Sequence, residues 1–424
     1  MRVYFTNLGC KLNQAEIERF ARDFRAAGHE VVGSLTEANL HVVNSCTVTH
    51  TAARTSRKTA RRGRRRGLRT VLTGCYAGDP TAAAHLAGVD LVVPNAEKDR
   101  LLEKVHAAFP EATSIPPSPG GWEGMGEGGQ GGEGPSGNTR ALLKIEDGCN
   151  LRCAFCIIPQ TRGPQRSRPA AEVIAEARSL TAAGYQEIVV TGVQISAYRW
   201  ESHGLFHLAG DLLRESGAPR LRLTSIAPWD LDERLLSLWS DTRLCRHLHL
   251  SLQSGSTATL RRMRRPYTAE SYARLLDRVR AAVPGVAITT DVIAGFPGET
   301  DADFADSLAF VAAAGFAKVH AFPFSPRPGT EAAELPEPVH PTVIRERMEK
   351  LLAAATQAET DFRRAAFGHR ETVLWEHPRQ GMGHGLTDNY IRVFSPEGAG
   401  LWNRFSRVEL GELLEDGVTG RLVA

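Results

Sequence analysis

Three closely spaced cysteines are the clearest chemical feature of this sequence. Cys149, Cys153 and Cys156 are separated by three and then two residues. Three thiolates on one short loop can bind three irons of a 4Fe-4S cluster and leave the fourth iron open to another ligand. A closed zinc site would need a fourth Cys or His, and the next residues, 157–160, supply neither. The spacing therefore favours a cluster with a reactive iron, with zinc as the alternative.

Three further cysteines, Cys10, Cys46 and Cys75, lie far apart in the sequence. Each follows a short β-prone run, and helix-like patterns separate the runs, which predicts a parallel sheet with helices on its faces. The loops beyond the carboxyl ends of parallel strands share one crevice, so these thiols can converge on a second site. Spacing alone leaves open that they are three buried core residues. Cys245 precedes a predicted strand without a partner motif, and we expect a buried thiol there.

The elements that must position these cysteines predict an α/β protein of three domains. Residues 1–112 predict a doubly wound parallel sheet. Residues 140–366 contain six βα units, which predict a partial barrel with its site at the carboxyl ends of the strands. Residues 367–424 predict a small β-barrel, a module that often contacts RNA. Residues 113–139 form a linker or insertion, because Ile115 to Asn138 include ten Gly and four Pro.

Composition excludes several classes of protein. Lys and Arg number 51 and Asp and Glu 48, giving a net charge of +3, which fits neither a polybasic coat nor an acidic disordered tail. No apolar run approaches the roughly 18 residues of a membrane helix, and the first residues lack the apolar core of a signal peptide. Seven cysteines, an odd number, fit a secreted disulfide framework poorly. We therefore expect a cytoplasmic protein that does not bind membranes.

The cysteine loop resembles that of the radical S-adenosylmethionine (SAM) enzymes, and nearly the whole chain resembles the methylthiotransferases of that superfamily. The matching motifs are Leu8 to Glu16, Asn44 to Thr49, Thr73 to Tyr76, Gly148 to Arg168, Leu252 to Ser256, Gly295 to Thr300 and Gly385 to Tyr390. The resemblance implies an amino-terminal cluster domain, a radical SAM partial barrel and a carboxy-terminal TRAM barrel.

The resemblance also implies roles for particular residues. Cys149, Cys153 and Cys156 would bind the cluster whose open iron holds SAM, and one electron from it would cleave SAM to a 5′-deoxyadenosyl radical. The first three cysteines would bind a second 4Fe-4S cluster. The residues implied to contact SAM are Phe155 near the adenine, Gly192 beside the methionine moiety and, as weaker candidates, Gln253 and Asp291.

The function implied is insertion of a methylthio group at C2 of N6-threonylcarbamoyladenosine at position 37 of tRNA, in the anticodon loop, with two molecules of SAM. The motifs Cys10 to Glu16, Cys46 to Thr49 and Asp147 to Asn150 resemble this branch of the family. A flavodoxin or ferredoxin would supply electrons, and the sulfur donor is unknown. The alternatives are N6-isopentenyladenosine at position 37, a ribosomal protein side chain, or a non-catalytic iron–sulfur protein that binds RNA.

A run of cations suggests how the chain meets RNA. Its members recur at helical spacing and would form one positive helix face: Arg54, Arg57, Lys58, Arg61, Arg62, Arg65, Arg66 and Arg69. A solvated face is the alternative, but so many cations near a cluster favour contacts with RNA phosphates. A threonylcarbamoyl carboxylate would also need a cation in its pocket, and Arg162, Arg166 and Arg168 are candidates.

Overall fold

The computed structural model describes residues 1–79, 82, 86, 88–110 and 138–423. They form two compact units that interleave along the chain. The described part of the first unit comprises residues up to 110, Asp147–Arg166 and Ser325–Ala333; that of the second comprises Asn138–Glu146, Ser167–Phe324 and residues 334–423. The predicted linker falls almost wholly outside the described residues, and the predicted domain boundaries stay a prediction. Among the described residues, no helix combines the length and apolar character needed to span a membrane.

The first unit contains a five-stranded parallel sheet. The elements of this part of the chain are β1 Arg2–Asn7, α1 Lys11–Ala26, β2 Glu30–Val31, β3 Leu40–Ser45, α2 His50–Arg64, β4 Arg69–Gly74, β5 Leu91–Val92 and α3 Leu101–Ala108. The strand order is β2-β1-β3-β4-β5. All pairings are parallel. The central strand β3 is buried along its whole length, as expected of a strand covered on both faces.

Helix α1 shows how the sequence builds this unit. It buries Phe20 and Phe24, which pack in one core with Val3 and Val42 of the sheet. The helix starts directly after Cys10, whose backbone is extended, and the chain leaves it at Gly28, where φ is +82°. The core therefore fixes the position of Cys10 relative to the strands.

The second unit contains the predicted six parallel strands. From residue 140 to the end of the long helix the elements are β6 Arg140–Lys144, β7 Glu146–Asp147, α4 Ile158–Arg162, β8 Arg166–Ser167, α5 Ala170–Ala182, β9 Glu187–Thr191, β10 Arg199–Trp200, β11 His203–Gly204, α6 Leu205–Glu215, β12 Arg220–Leu223, α7 Glu233–Ser237, β13 His247–His249, α8 Thr257–Arg262, α9 Ala269–Ala282, β14 Ala287–Ala294, α10 Asp301–Ala313, β15 Lys318–Pro323 and α11 Pro341–Arg364. Of these, α4 belongs to the first unit, as does the rest of Asp147–Arg166.

These six strands pair in chain order. Two three-stranded sheets, β6-β9-β12 and β13-β14-β15, are joined by parallel bridges such as Ile226 with Leu250. One large apolar core lies between the strands and helices such as α5, α6 and α9. The prediction of an α/β fold with a partial barrel of six βα units is confirmed.

A closed five-stranded barrel ends the chain, as predicted. Its strands are β16 Arg370–Trp375, β17 Gly383–Thr387, β18 Arg392–Ser395, β19 Phe405–Leu414 and β20 Gly417–Leu422, in the order β16-β17-β18-β20-β19. Short β-prone runs in the sequence, Glu371 to Trp375, Tyr390 to Phe394 and Gly417 to Val423, predict β16, β18 and β20 but not β17 and β19. Strand β17 has two glycines and no alternating pattern because it is buried along its whole length.

Buried arginines attach this small barrel to the six-stranded one. Arg222 of β12 is fully buried and binds both carboxylate oxygens of Glu187, on the neighbouring strand β9, at 2.7 and 3.0 Å. Its guanidinium also lies 3.9 Å from the centre of the Tyr390 ring, which belongs to the small barrel. Arg246 binds Asp388 at 2.7 and 2.8 Å. The end of the motif Gly385 to Tyr390, which suggested an RNA-binding module, therefore packs against the partial barrel.

Candidate functional site

The first cysteine triad lies at the carboxyl ends of three neighbouring strands. Cys46 and Cys75 directly follow β3 and β4, and Cys10 stands between β1 and α1. Because β1, β3 and β4 are adjacent and parallel, their carboxyl ends place the three loops side by side. The thiols are close enough for Cys10 and Cys75 each to influence the pKa of Cys46. The structure thus brings together three cysteines that the sequence separates widely.

Burial dominates the electrostatics of this triad. Cys46 and Cys75 are buried, whereas Cys10 is exposed. Burial is the main reason that the pKa of the Cys46 thiol rises to about 11, and the neighbouring thiols add to the shift. Burial also raises the pKa of the Cys75 thiol, and the positive charge of Arg162 opposes that rise. Loss of the thiol protons is therefore favourable only when a cation, such as iron, binds in their place.

The close approach of two of these loops requires a glycine. Gly9 has φ of +112°, and a Cβ atom at this position would lie 3.0 Å from the Cβ and 3.1 Å from the Sγ of Cys46. Any side chain here would push the Cys10 loop away from Cys46. Gly9 therefore allows the loop that carries Cys10 to pack against Cys46.

The second triad lies on the compact loop between β7 and α4. The amide of Cys149 donates to the carbonyl of Gly163 at 3.1 Å, and the amide of Cys156 donates to the carbonyl of Cys153 at the same distance. All three thiols are partly exposed. The backbone therefore holds the loop in shape while the three cysteines stay partly exposed.

Neither triad is arranged for a single metal ion. Within the part of the chain that the structure describes, no three Cys, His, Asp or Glu side chains converge closely enough to hold one ion. In a 4Fe-4S cluster each thiolate binds a different iron, so the sulfurs need not converge on one point. Two sets of three thiols fit this group in ligand type and number better than they fit tetrahedral zinc.

A buried ion network underlies the first triad, and Arg162 is at its centre. Nε of Arg162 donates to Sγ of Cys75 at 3.1 Å. One terminal nitrogen binds Glu16 at 2.9 Å and Asp147 at 2.8 Å, and the other binds Asn13. The side chain of Arg162 is only 2% exposed, so the interpretation of Arg162 as a substrate contact is wrong.

Lys98 completes this network. Its ammonium contacts Glu16 and Asp147, each at 2.5 Å, and all four charged side chains are buried. Two cations thus balance two carboxylates, which is what buried charges require. The sequence analysis missed Lys98 and Glu16 because no local pattern connects residues this far apart.

Polar groups also meet at the carboxyl ends of the first strands of the partial barrel. The Glu146 carboxylate accepts a hydrogen bond from the backbone N–H of Gln194 at 2.7 Å, and the side-chain amide of Gln194 donates to Asp230 at 3.0 Å. A Cβ atom at Gly192 would overlap the Glu146 carboxylate, so this position needs glycine. Gly192, implied to lie beside the methionine moiety, therefore lies beside an acid that the sequence analysis did not single out.

Gln253 and Asp291, the weaker candidates for SAM contact, lie on adjacent segments. The Gln253 amide donates to the Asp291 carbonyl at 2.8 Å, and Gln253 has the unusual φ of +69°. The Asp291 carboxylate lies 3.2 Å from His249 Nε2. Although burial favours the neutral acid, hydrogen bonds from His249 and Ser251 and nearby histidine charge hold the pKa of Asp291 below its usual range. This carboxylate therefore stays ionised near neutral pH.

An arginine lies against two aromatic rings in the segments between β12 and α7 and between α8 and α9. The rings of Trp229 and Tyr267 stack with centres 5.7 Å apart. The Arg265 guanidinium lies 4.9 Å from the first ring centre and 5.5 Å from the second, and all three side chains are partly exposed. The first segment follows the carboxyl end of β12, and the Tyr267 hydroxyl donates to the Leu252 carbonyl at 2.7 Å, just beyond the carboxyl end of β13. Sites in such folds lie at these strand ends. The arrangement offers both a cation and aromatic surface.

Comparisons with known proteins agree with this architecture. A model of the radical SAM superfamily matches residues 143–311, and one of the uncharacterized protein family UPF0004 matches residues 2–93. The chain is 36% identical to the threonylcarbamoyladenosine tRNA methylthiotransferase MtaB of Bacillus subtilis, over 92% of this chain and 89% of that protein. It is 33% identical to the tRNA-2-methylthio-N(6)-dimethylallyladenosine synthase of Cereibacter sphaeroides, over 96% and 95%.

The chain belongs to the radical SAM methylthiotransferase family. It is a radical SAM transferase of the kind that modifies tRNA. The superfamily uses SAM and a 4Fe-4S cluster, and methylthiotransferases carry two such clusters. Among solved structures, the SAM methyltransferase TsrM of Kitasatospora setae shares the fold, with a TM-score of 0.56 at 17% identity over 78% of this chain and 74% of that one.

The basic helix of this methylthiotransferase is shorter than its cations suggested. Helix α2 ends at Arg64, because the turn at Gly67, with φ of +73°, caps it through the bond from the Leu68 amide to the Gly63 carbonyl. Arg69 is instead the first residue of β4, with its guanidinium 4.9 Å from the Phe109 ring centre. The expectation that all eight cations lie on one helix face is therefore wrong for those after Arg64, namely Arg65, Arg66 and Arg69.

The rest of the basic face is present. Helix α2 buries small residues only, namely Ala53, Ser56, Ala60 and Gly63. The exposed cations on or just after the helix are Arg54, Lys58, Arg61, Arg62, Arg64, Arg65 and Arg66. Arg57 is half-buried, with its guanidinium 5.7 Å from the centre of the Tyr76 ring.

The remaining predicted residues lie as follows. Phe155 is partly exposed on the second cysteine loop, and Arg166 is exposed. Arg168 is bound to Glu176 at 2.6 Å and to the Lys144 carbonyl at 2.8 Å, so its charge is already compensated. Cys245 is fully buried, as expected.

Proposed function

We propose that this tRNA methylthiotransferase acts at C2 of N6-threonylcarbamoyladenosine at position 37, in the anticodon loop. The similarity to the Bacillus subtilis enzyme carries the assignment, and relatives from Chlamydia pneumoniae and Thermotoga maritima with the same name are 33% and 34% identical over 98% of this chain. Relatives named for the dimethylallyl nucleoside are 32–34% identical. The nucleoside is therefore the point that experiment must test.

The two cysteine triads are the proposed cluster ligands. Cys149, Cys153 and Cys156 form one set, and the widely spaced triad of the first unit forms the other. When bound, SAM and its cluster would supply the one-electron chemistry, a second SAM would supply the methyl group, and the cluster of the first triad would hold the sulfur that receives it. An aromatic C–H bond offers no acidic proton to a general base, which is why this chain needs thiols rather than an acid–base pair at its centre.

The side chains at the strand ends are proposed to hold SAM. The Glu146 carboxylate beside Gly192 is suited to bind the methionyl ammonium group, because a buried carboxylate favours a cationic partner. The ionised Asp291 and the backbone of Gln253 are suited to the ribose hydroxyls. Phe155 is proposed to contact the adenine.

Arg265 is proposed to recognise the threonylcarbamoyl carboxylate. A pocket for this group needs a cation or hydrogen-bond donors, whereas an isopentenyl group needs an apolar wall. Arg265 is a partly exposed cation between α8 and α9, beside the aromatic side chains of Trp229 and Tyr267. Those rings offer a surface on which an unstacked base can lie.

The exposed cations of α2 are proposed to contact the phosphates of the tRNA. The proposed contacts are Arg54, Lys58, Arg61 and Arg62 on the helix and Arg65 just after it, with the half-buried Arg57 as a lesser contributor. A flavodoxin or ferredoxin is the proposed electron donor. Because its proposed substrate is tRNA, we place the enzyme in the cytoplasm.

A competition between two RNAs tests the proposal. The reconstituted enzyme, SAM and a reductant are incubated with equal amounts of anticodon stem-loops carrying either N6-threonylcarbamoyladenosine or N6-isopentenyladenosine at position 37. Mass spectrometry of the nucleosides should show the methylthio product of the first in clear excess. Preferential conversion of the second would overturn the substrate assignment but leave the family assignment intact.

A further inference from the structure

Arg162 contacts more groups than a simple ion pair requires. Its guanidinium reaches the Cys75 sulfur, two carboxylates and the Asn13 side chain at once. The planar fork of an arginine carries five N–H donors, and a lysine ammonium cannot reach four partners spread around that plane. The geometry therefore specifies arginine rather than a positive charge alone.

The same residue is tied to the second cysteine loop. The carbonyl of Gly163, its neighbour, accepts from the Cys149 amide at 3.1 Å. Asp147, which Arg162 binds at 2.8 Å, also accepts from the Gly148 amide at 2.8 Å. One buried side chain thus contacts a sulfur of the first triad and fixes the backbone on which the second triad begins.

We propose that Arg162 is a positioning residue for the cluster held by Cys10, Cys46 and Cys75, orienting the Cys75 sulfur and raising the reduction potential of that cluster. This inference rests on the proposed assignment of the three cysteines as ligands. An N–H···S hydrogen bond from a cation stabilises electron density on the sulfur, and a cluster gains negative charge when it is reduced. The bond therefore favours the reduced form, and its loss should shift the potential to more negative values.

A purely structural ion network makes a different prediction. Lys98 binds the same two carboxylates as Arg162, and its ammonium donates to oxygen atoms of Glu16 and Asn95, whereas Nε of Arg162 donates to the Cys75 sulfur. If charge balance were the whole role of Arg162, removing either cation together with Glu16 would have the same effect. Each such pair of substitutions removes one positive and one negative charge.

The test uses the full chain with Cys149, Cys153 and Cys156 replaced by Ala, so that only the cluster of the first triad contributes. In this background, Arg162→Gln with Glu16→Gln is compared with the matched control, Lys98→Gln with Glu16→Gln. After anaerobic reconstitution, the midpoint potential is measured by titration monitored with electron paramagnetic resonance. We expect the Arg162 pair to shift the potential to more negative values than the Lys98 pair, at equal iron content.

Arg162→Lys keeps the charge and provides a second measurement if the Arg162 pair does not fold. Its potential should also fall, since lysine cannot maintain the sulfur bond together with the other contacts. Equal potentials in the two paired variants, or an unchanged potential in Arg162→Lys, would overturn the role of Arg162. A parent protein that binds no iron through the first triad would instead overturn the ligand assignment, and iron analysis distinguishes the two failures.

Discussion

Nε of Arg162 lies 3.1 Å from Sγ of Cys75, although 87 positions separate the two residues in the sequence. Both side chains are only 2% exposed. A charged donor at this distance from a buried sulfur favours its thiolate form, and the thiolate is the form that binds iron. The contact therefore links a sulfur of the first triad to helix α4, which directly follows the second triad.

The two triads should have separable roles. Replacing Cys149, Cys153 or Cys156 by Ala should abolish reductive cleavage of SAM, because these thiols are proposed to hold the cluster that binds it. Replacing Cys46 by Ala should spare that cleavage and abolish methylthio insertion. Chromatography of 5′-deoxyadenosine and mass spectrometry of the RNA measure the two outcomes. Full methylthio insertion by the Cys46→Ala protein would contradict the two-cluster assignment.

The exposed cations of α2 should contribute to tRNA affinity in a salt-dependent way. Replacing Lys58 and Arg61 by Ala should reduce the slope of log affinity against log salt concentration by about 0.7 to 0.9 per cation, since each phosphate contact releases counterions. Binding titrations at several salt concentrations give the slope. The matched control replaces Arg274 and Arg278, two exposed cations of α9, and should leave the slope unchanged. Equal slopes for both double variants would identify the α2 cations as a solvated face.

Arg265 should discriminate between the two modified nucleosides. Arg265→Gln should lower kcat/KM for the threonylcarbamoyl RNA by about 10- to 100-fold, the effect of losing a charge-assisted hydrogen bond of roughly 1.5–3 kcal/mol. Activity on the isopentenyl RNA, if measurable, should fall much less. Arg261→Gln, an exposed cation of α8, is the control. A similar loss on both RNAs would mean that Arg265 does not read the carboxylate.

The Arg222–Glu187 pair should stabilise the second unit. Arg222→Ala leaves a fully buried carboxylate without its bidentate partner and should cost about 3–5 kcal/mol of unfolding free energy. Denaturant unfolding followed by circular dichroism measures the loss. Replacing Arg222 by Met and Glu187 by Leu together should recover much of it, because no unpaired charge remains. A double variant as unstable as Arg222→Ala would show that the contacts of Arg222 with the loop before β18 matter more than its ion pair.

Local patterns in the sequence were sufficient to predict much of the fold. Apolar runs and glycine breaks gave the strands that precede the cysteines, because burial of a parallel strand demands continuous apolar side chains. They failed for β17, where the small barrel buries glycines, and for the end of α2, where the turn at Gly67 overrides the run of cations.

The sequence by itself determined the two cysteine triads, their placement after strands and, through resemblance, the chemistry. Only the tertiary structure decided what lies around them. It showed that Arg162 is buried under Cys75 rather than turned to the substrate, and that Glu16, Lys98 and Asp147 balance its charge. Hydrogen bonds and ion pairs act over a few ångströms, and no local pattern reports which distant residues the packing of the sheet will bring within that reach.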